Sequence, residues 1–344
     1  MIVLVEKDCR DNLFPFTATR HTADILVGAF TIRQKWERLT GEKICTNENE
    51  NENGIHIPAN IIATQQNFKE IIEKCTNNIS IEETDTIKII KYPWHIVQFN
   101  DYALRKDFEI LTYNKKSSLL SETNKAINEE NIFIEEGAHV SCSILNSTTG
   151  PIYISAGAQI MEGCMIRGPF FMGNNSVAKM GTKIYGATSI GANCIIGGEI
   201  KNCVLFGNSN KAHDGYLGDS VLGEWCNLGA GTSNSNIKNT AGNVGYVLQK
   251  DGKPISAGNK AGLLMGDYSR AAINTSFNTG SVVGVCCNIF GEIMPAKFTE
   301  NFTWGKEKYI FDKALQDIEN WMAFKNSSLN AAAKQRLKEL YEKI

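Results

Sequence analysis

From about residue 132 onward the chain repeats a short unit of apolar and small positions. It reads Ile134-Glu-Glu-Gly-Ala, Ile154-Ser-Ala-Gly-Ala, Ile190-Gly-Ala-Asn-Cys, Leu217-Gly-Asp-Ser-Val, Leu222-Gly-Glu-Trp-Cys, Leu228-Gly-Ala-Gly-Thr, Met265-Gly-Asp-Tyr-Ser and Val283-Gly-Val-Cys-Cys. Each unit is an aliphatic residue, then usually Gly or an acid, then two variable residues, then a small one. This hexapeptide period predicts a parallel β-helix. The aliphatic residue points into a narrow prism, and the next residue turns a corner where Gly tolerates unusual dihedrals. The small residue leaves room for the next coil, stacked about 4.8 Å away. Three hexads make a coil of about eighteen residues, so the stretch holds roughly nine coils. A sandwich with Gly turns would need strict two-residue alternation and turn clusters at regular spacing instead.

The flanks follow other periods. Residues 1–110 alternate strand and helix patterns: a strand at 1–5, a helix from Thr31 to Leu39 ended by Gly41, a polar loop at 47–54, a strand at 57–63, a segment at 68–75 and a strand at 86–90. That alternation predicts a small α/β unit. Residues 111–131 are polar and are expected to form a connecting helix, and 132–298 form the β-helix. Asp251-Gly252 lies between Tyr246-Val-Leu-Gln and Pro254-Ile-Ser, a hairpin signal expected to project from the prism. Over 299–344 the period becomes 3.6. Phe311, Leu315, Ile318 and Met322 mark one helix face, and Leu337, Leu340 and Tyr341 a second. A β-helix leaves unpaired coil edges at its ends. The C-terminal helices and the N-terminal unit are expected to cover one end each.

Composition narrows the class. Gly 30 with Pro 7 speaks for tight corners inside regular structure rather than for a collagen-like or disordered chain. The formal net charge of -2 supplies no nucleic-acid footprint and no membrane-surface patch. No apolar run approaches the roughly 20 residues of a membrane span, and residues 1–5, followed by Glu6, are too short for a signal core. Cys 10 without a C-x-x-C pair fits a reducing cytoplasm. Cys164, Cys194 and Cys226 alternate with aliphatics, as packing residues do, and nothing suggests zinc.

One segment departs from packing logic. It runs Glu199-Ile-Lys-Asn202, Lys211-Ala-His-Asp-Gly-Tyr216-Leu-Gly-Asp219, Asn227-Leu-Gly-Ala-Gly-Thr232 and then Asn236. Between Phe206 and Leu217 the aliphatic register lapses for about one hexad, and loops on a rigid scaffold are where function concentrates. His213 lies there beside Lys211, Asp214 and Tyr216. A histidine near its free pKa can accept a proton from a nucleophile; from local sequence alone, a solvated loop histidine fits equally well. His21, His56, His95 and His139 are isolated, and a three-histidine metal site of the β-helix carbonic anhydrase kind has no ligand set here.

This segment resembles the acetyltransferase half of the bifunctional N-acetylglucosamine-1-phosphate uridylyltransferase/glucosamine-1-phosphate acetyltransferase (GlmU) family. The shared pattern is Glu-Ile-Lys-Asn, His-x-x-Tyr-Leu-Gly-Asp, Asn-Leu-Gly-Ala-Gly-Thr and a final Asn, ungapped from Lys201 through His213 to Asn236. The resemblance implies a left-handed β-helix and an acyltransferase using acetyl-CoA. It makes His213 the general base and Lys201 a ligand for sugar or phosphate oxygens, with Tyr216 and Asn227 beside the sugar. It puts Ala230 and Asn236 against acetyl-CoA, and Lys183 in place of a family Arg. It further implies a cytoplasmic homotrimer acting on a small sugar phosphate. Two departures stand out. The family continues its last motif as Asn-Tyr-Asp-Gly where this chain has Asn236-Ile-Lys-Asn, and the hairpin after Gly245 is extra.

The front of the chain resembles sugar-nucleotide pyrophosphorylases. Leu13-Phe-Pro-Phe-Thr-Ala-Thr-Arg20 is similar to part of their signature, and Tyr92-Pro-Trp-His95 to a segment of divergent GlmU-like nucleotidyltransferases. The resemblance implies Thr17 and Arg20 as nucleotide ligands, with Mg²⁺ if this unit is active. However, Glu6-Lys-Asp-Cys-Arg-Asp11 stands where a Gly-rich loop would cradle phosphates, and no Pro-Lys follows Arg20. Lys7 and Arg10 flank the same strand end as substitutes. Surface or capping duty explains Arg20, Thr17 and Asp101 equally well. The reading is therefore an acyltransferase with a reduced nucleotidyltransferase-like unit in front. The alternatives are a front unit that makes a sugar nucleotide beneath a regulatory β-helix, and a non-catalytic β-helix that binds a sugar phosphate.

Overall fold

The computed structural model describes residues 1–6, 9–46, 54–292 and 294–344. The polar loop expected at 47–54, Gly54 apart, and Lys7 lie outside the described residues. The repeat forms a parallel β-solenoid with three sheets of six, nine and ten strands. A coil visits each sheet in turn, as in Ile144–Asn146, Ile152–Ile154 and Gln159–Ile160. The inward aliphatics and the small thiols of Cys164, Cys194, Cys203, Cys226 and Cys287 fill the prism.

The nine-stranded sheet is apolar on both sides, which decides where everything else packs. One outward column runs through Phe133, Tyr153, Phe171, Ser189, Val204, Val221, Leu264, Val282 and Phe298. Phe133, Tyr153 and Phe171 stack ring on ring, with centroids 5.1 and 5.9 Å apart. The N-terminal unit lies along this column, burying it against Phe30, Leu104 and Leu111 at one end and Leu13, Phe16 and Ile25 at the other. Asn100 serves the single polar position: its Oδ1 accepts from Ser189 Oγ at 3.0 Å, and its Nδ2 donates to the Ala187 carbonyl at 3.0 Å. The unit thus covers a side of the prism, not the end expected of it. A prism end offers one strand edge, whereas this side offers a continuous apolar strip.

The unit itself is small. Strand Ile2–Val5 pairs in parallel with Ile55–Pro58, and helices Ile32–Thr40, Phe68–Thr76 and Asn100–Thr112 pack around them. Thr31 caps the first helix with a capping box, and Gly41 ends it in the left-handed region. Lys35 and Asp107 form a fully buried ion pair, and Asp107 also accepts from the Ala29 amide at 2.8 Å. A side chain at Gly28 would collide with that carboxylate. Burying two charges is tolerable only because each meets the other and Asp107 gains an extra donor.

The segment expected as a connecting helix is not one. The Asn100–Thr112 helix stops, and the chain runs along the open edge of the first coil instead. Ser118 N donates to the Ile134 carbonyl at 2.8 Å and Ser117 Oγ accepts from Ile134 N at 2.9 Å, before strand Lys125–Ile127 begins the solenoid. The polar stretch has no apolar stripe to hold a helix, while the coil edge has unpaired backbone groups that its serines satisfy. At the far end, Thr303–Trp304 and Glu307–Lys308 form an antiparallel hairpin. Helices Phe311–Ala323 and Ala331–Glu342 then fold back over Val285, Cys286, Phe302 and Tyr309. Just beyond the first helix, Lys325 Nζ donates to the Asn208 carbonyl at 2.9 Å and to Asn210 Oδ1 at 3.0 Å. These helices also cover a flank more than an end.

The extra hairpin, Gly245–Tyr246 with Ile255–Ser256, does not project. Tyr246 is fully buried and stacks on Trp94 at 5.2 Å, and Gln98 Nε2 donates to the Ala257 carbonyl at 3.1 Å. It bridges the solenoid to the N-terminal unit.

The seam closes on Arg20. Its Nη2 lies 2.6 Å from Asp267 Oδ2 and 3.7 Å from Glu224, its guanidinium sits over the Phe206 ring at 4.9 Å, and Thr19 donates to the same Asp267 oxygen. Arg20→Ala should therefore lower stability in urea melts by about 3–5 kcal/mol, because Asp267 is left buried without its cation. Arg105→Ala, which breaks the exposed pair with Asp101 and an exposed hydrogen bond to the Thr149 carbonyl, should change far less. Equal, small effects would show the seam to be held by apolar contact alone.

Candidate functional site

His213 sits at the corner between strands Asn210–Lys211 and Tyr216–Gly218. The corner owes its shape to Lys211. On the ten-stranded sheet the inward column reads Val140, Ile160, Ala178, Ile196 and then Lys211, a cation where the other coils place a hydrocarbon. Its stem fills the aliphatic slot, and its Nζ donates to the carbonyls of His213, Gly197 and Asp214. Burial pushes the Lys211 pKa down to about 8, against the pull of Asp214. The lapse in hydrophobic register thus holds a buried lysine that gathers the loop carbonyls and leaves the His213 side chain exposed. The coils on either side leave no room for larger residues: a Cβ on Gly198 would meet the His213 carbonyl at 2.8 Å, and one on Gly215 would meet that of Thr232 at 2.2 Å.

Beside this corner runs the six-stranded sheet, whose outer side no other element covers among the described residues. Its outward columns are Met165, Lys183, Glu199 and Tyr216, and, next to them, Tyr185, Lys201 and Gly218. Tyr185 donates to Glu199 at 2.6 Å, and Lys201 Nζ lies 5.7 Å over the Tyr185 ring. That carboxylate holds the Tyr185 hydroxyl pKa up at about 12. A shallow cavity of 460 Å³ opens here against Ile144, Met165, Arg167 and Lys183. Tyr216 OH accepts from Asn236 Nδ2 at 3.1 Å, and the same amide donates to Asp219, which also accepts from Asn202 at 2.6 Å. Burial, and then Asp219, raise the pKa of Tyr216, so its hydroxyl stays protonated.

The fold therefore brings Lys183, Lys201, Tyr216 and Asn236 to one face, with His213 at its corner. Ala230 lies directly above the corner: the neighbouring Gly231 amide donates to the Asp214 carbonyl at 3.1 Å. Asn227 is on the next face, where its Oδ1 accepts from Asn210 at 3.4 Å. Thr17 and Arg20 are elsewhere and occupied. Thr17 Oγ1 donates to the Arg10 carbonyl at 2.8 Å, and Arg20 is the seam residue. Arg10, a candidate substitute cation, pairs with Glu6 and donates to the Thr17 carbonyl at 2.6 Å. Asp101 makes an i,i+4 pair with Arg105. Among the described residues no group of three or more His, Cys, Asp or Glu side chains could hold a metal ion. No helix is long and apolar enough to cross a membrane. Two site residues escaped the motif reading: Lys211 as the shaper of the loop, and Asp219 as the hub between Asn202 and Asn236. The register lapse was the signal for the first; Asp219, with φ of 47°, carried no signal beyond the motif itself.

An α/β unit lying on the side of a parallel β-solenoid, with an open, basic face, defines the class of molecule. Comparison with known proteins narrows it. The family "Sugar nucleotidyl transferase" matches residues 2–50 and 42–116. The bifunctional protein GlmU of Methanococcus maripaludis is 25% identical over 304 residues, 82% of this chain and 64% of that one. A bifunctional sugar-1-phosphate nucleotidylyltransferase/acetyltransferase of Sulfurisphaera tokodaii is 28% identical over 59% of this chain and 47% of that one. A solved UDP-N-acetylglucosamine acyltransferase covers 65% of this chain at 13% identity and a TM-score of 0.19, too slight a likeness to bear on either fold or function. By sequence the chain is GlmU-like over most of its length, and it spans less than two thirds of the length of these curated relatives.

Lys211 gives the site a pH signature. Its folded pKa is lowered to about 8 from an ordinary 10.5. Between those values the unfolded chain holds the proton and the folded chain does not, so stability rises with pH across the window, while below about 8 the cost of the buried charge is carried in full. In urea melts from pH 7 to 10, the wild type should gain on Lys211→Met as pH rises. A constant difference would mean that Lys211 titrates as it does in water.

Proposed function

We propose that the chain is an acetyl-CoA-dependent N-acyltransferase for an amino-sugar phosphate, with His213 as general base. The observation that carries this is the placement of an exposed histidine, on a corner shaped by a buried lysine, beside a face bearing Lys183, Lys201, Tyr216 and Asn236. In the step, the amine nitrogen bonds to the thioester carbonyl carbon. His213 takes the amine proton, the C–S bond breaks, and the proton passes to the departing thiolate. The Gly229 and Gly231 amides are spent on the Ala271 and Asp214 carbonyls. The Ala230 amide between them is the donor assigned to the oxyanion, an effect typically worth about 3 kcal/mol. Lys201 holds the phosphate or sugar oxygens, with Lys183 beside it. The open face, with Ile144 40% and Met165 46% exposed, is closed by a neighbouring copy in a homotrimer, which also brings Asn227 toward the sugar. A monomer that retains acyl transfer in light scattering would defeat that assembly.

A second reading, nucleotidyl transfer in the front unit, rests on the family match over residues 2–50 and 42–116. Arg20 and Thr17, the groups it would use, are bound to Asp267 and to the Arg10 backbone. We infer that this unit releases pyrophosphate from sugar 1-phosphates and nucleoside triphosphates poorly or not at all. Robust Mg²⁺-dependent release that vanishes in Arg20→Ala would reverse that judgement.

The central test is His213→Ala, which should lower kcat for acyl transfer by about 10²–10⁴ without altering the thermal melt. Lys201→Ala should weaken sugar-phosphate binding more than acetyl-CoA binding in calorimetry. Unchanged turnover in the first, or equal losses in the second, would return these residues to purely structural duty.

A further inference from the structure

The inserted hairpin carries a buried phenol that approaches the candidate face from behind. Tyr246 is fully buried, and its ring lies on Trp94 of the N-terminal unit, with centroids 5.2 Å apart and planes 13° from parallel. Its hydroxyl donates to the Gly262 carbonyl at 3.2 Å. Burial pushes the hydroxyl pKa up, so it stays a donor. The Gly262 amide in turn donates to the Asp219 carbonyl at 3.0 Å. The contact leaves no room: a Cβ on Gly262 would meet the Gly218 carbonyl at 2.0 Å, and a Cβ on Gly218 itself would meet the Tyr216 hydroxyl at 2.3 Å. Gly218 is enclosed by the Gly262 backbone and the Tyr216 side chain.

Asp219, next in the chain, lies in the left-handed region with φ of 47°. A residue other than Gly keeps that conformation where its surroundings impose it. Here they are Gly262 and Ser220, whose Oγ donates to the Gly218 carbonyl at 2.7 Å and accepts from Leu263 N at 2.8 Å. That backbone conformation decides where the Asp219 carboxylate lies. The carboxylate accepts from the Asn236 amide nitrogen, which also donates to the Tyr216 oxygen. With its oxygen accepting, Tyr216 has its own proton to offer to a ligand. We propose that Tyr246 is a positioning residue for the candidate face: through Gly262 and Asp219 it fixes the orientation in which Tyr216 donates to the oxygens of a sugar phosphate. The proposal rests on the acyl-transfer reading of that face. It goes beyond the motif shared with the GlmU family, because Tyr246 belongs to the hairpin by which this chain departs from it.

The test is calorimetry on the full chain with glucosamine 1-phosphate as the probe. Tyr246→Phe keeps the ring on Trp94 and removes only the hydroxyl. It should weaken binding about fivefold, the scale of coupling carried through a packed network. Tyr216→Phe should weaken binding about tenfold, the worth of one hydrogen bond to a charged ligand. The double variant should bind no worse than Tyr216→Phe alone, since both substitutions remove the same contact to the ligand. A merely structural role for Tyr246 would instead give losses that multiply. Tyr102→Phe, which removes a phenol donor to the Thr86 carbonyl inside the N-terminal unit, should leave binding unchanged. Thermal melts check that each variant is folded at the assay temperature. Wild-type affinity in Tyr246→Phe, an equal loss in Tyr102→Phe, or multiplying losses in the double variant would each overturn the proposal and leave the acyl-transfer reading standing. A wild type that binds no amino-sugar phosphate would overturn that reading, and the proposal with it.

Discussion

The outward column of the nine-stranded sheet is the constraint on which the rest of the molecule depends. A three-sided solenoid needs only its inward column to be apolar. Here Phe133, Tyr153, Phe171, Val204, Val221, Leu264 and Val282 are apolar on the outside as well, and they are buried only because the N-terminal unit lies on them. At about 25 cal/mol per Å² of apolar surface, such a strip exposed to water would dominate the folding balance. One side of the prism is therefore sealed. The C-terminal helices take the flank around Val285, Cys286 and Phe302. The six-stranded sheet is left open, and the candidate residues Lys183, Lys201 and Tyr216 gather there.

Much of this was legible in the chain. The hexapeptide period gave the prism, the switch to a 3.6 period gave the terminal helices, and an ungapped motif gave the face carrying Lys201, Tyr216 and Asn236. Lateral docking was harder to read, although runs such as Ile132-Phe-Ile134 and Phe170-Phe-Met172 carry its trace. A strand with one buried side alternates, whereas these are apolar at every position, as strands buried on both sides are. The flank under the C-terminal helices is marked more subtly. One corner of the solenoid places a left-handed residue in successive coils: Asn175, Asn193 and Asn208, and then Trp225, Tyr268 and Cys286. Asn tolerates this conformation cheaply at an exposed corner. The change to Trp, Tyr and Cys begins where the helices cover it, so packing outweighs backbone preference there.

Segment 113–131 failed as a helix for a reason that local periodicity does not carry. Its polar residues satisfy a coil edge that exists only once the solenoid has formed. Lys211 was opaque in the same way. A lysine in a loop motif reads as solvated, and only the register of neighbouring coils shows that its slot is internal. What the sequence offered was the interruption itself, and a broken period in a repeat protein deserves to be treated as a candidate site.

The seam also recasts the front unit. In a signature read from sequence, Arg20 and Thr17 are nucleotide ligands. In the fold, Arg20 joins Asp267, Glu224 and Phe206 of the solenoid, and Thr17 ties down Arg10. Arg20 is thus the fastening between two parts of one chain. The same unit reaches the open face by a second route. Trp94 and Gln98 hold the inserted hairpin, while the chain just after it pairs with the candidate site: Ala261 N donates to the Asn236 carbonyl at 2.9 Å and Gly262 N to that of Asp219 at 3.0 Å. Asn236 and Asp219 are the pair that orients Tyr216. The unit therefore reaches the candidate site through backbone contacts, by fixing the insertion that borders it. The physical case for keeping it is that the solenoid alone would expose the apolar column and leave that insertion without its anchor.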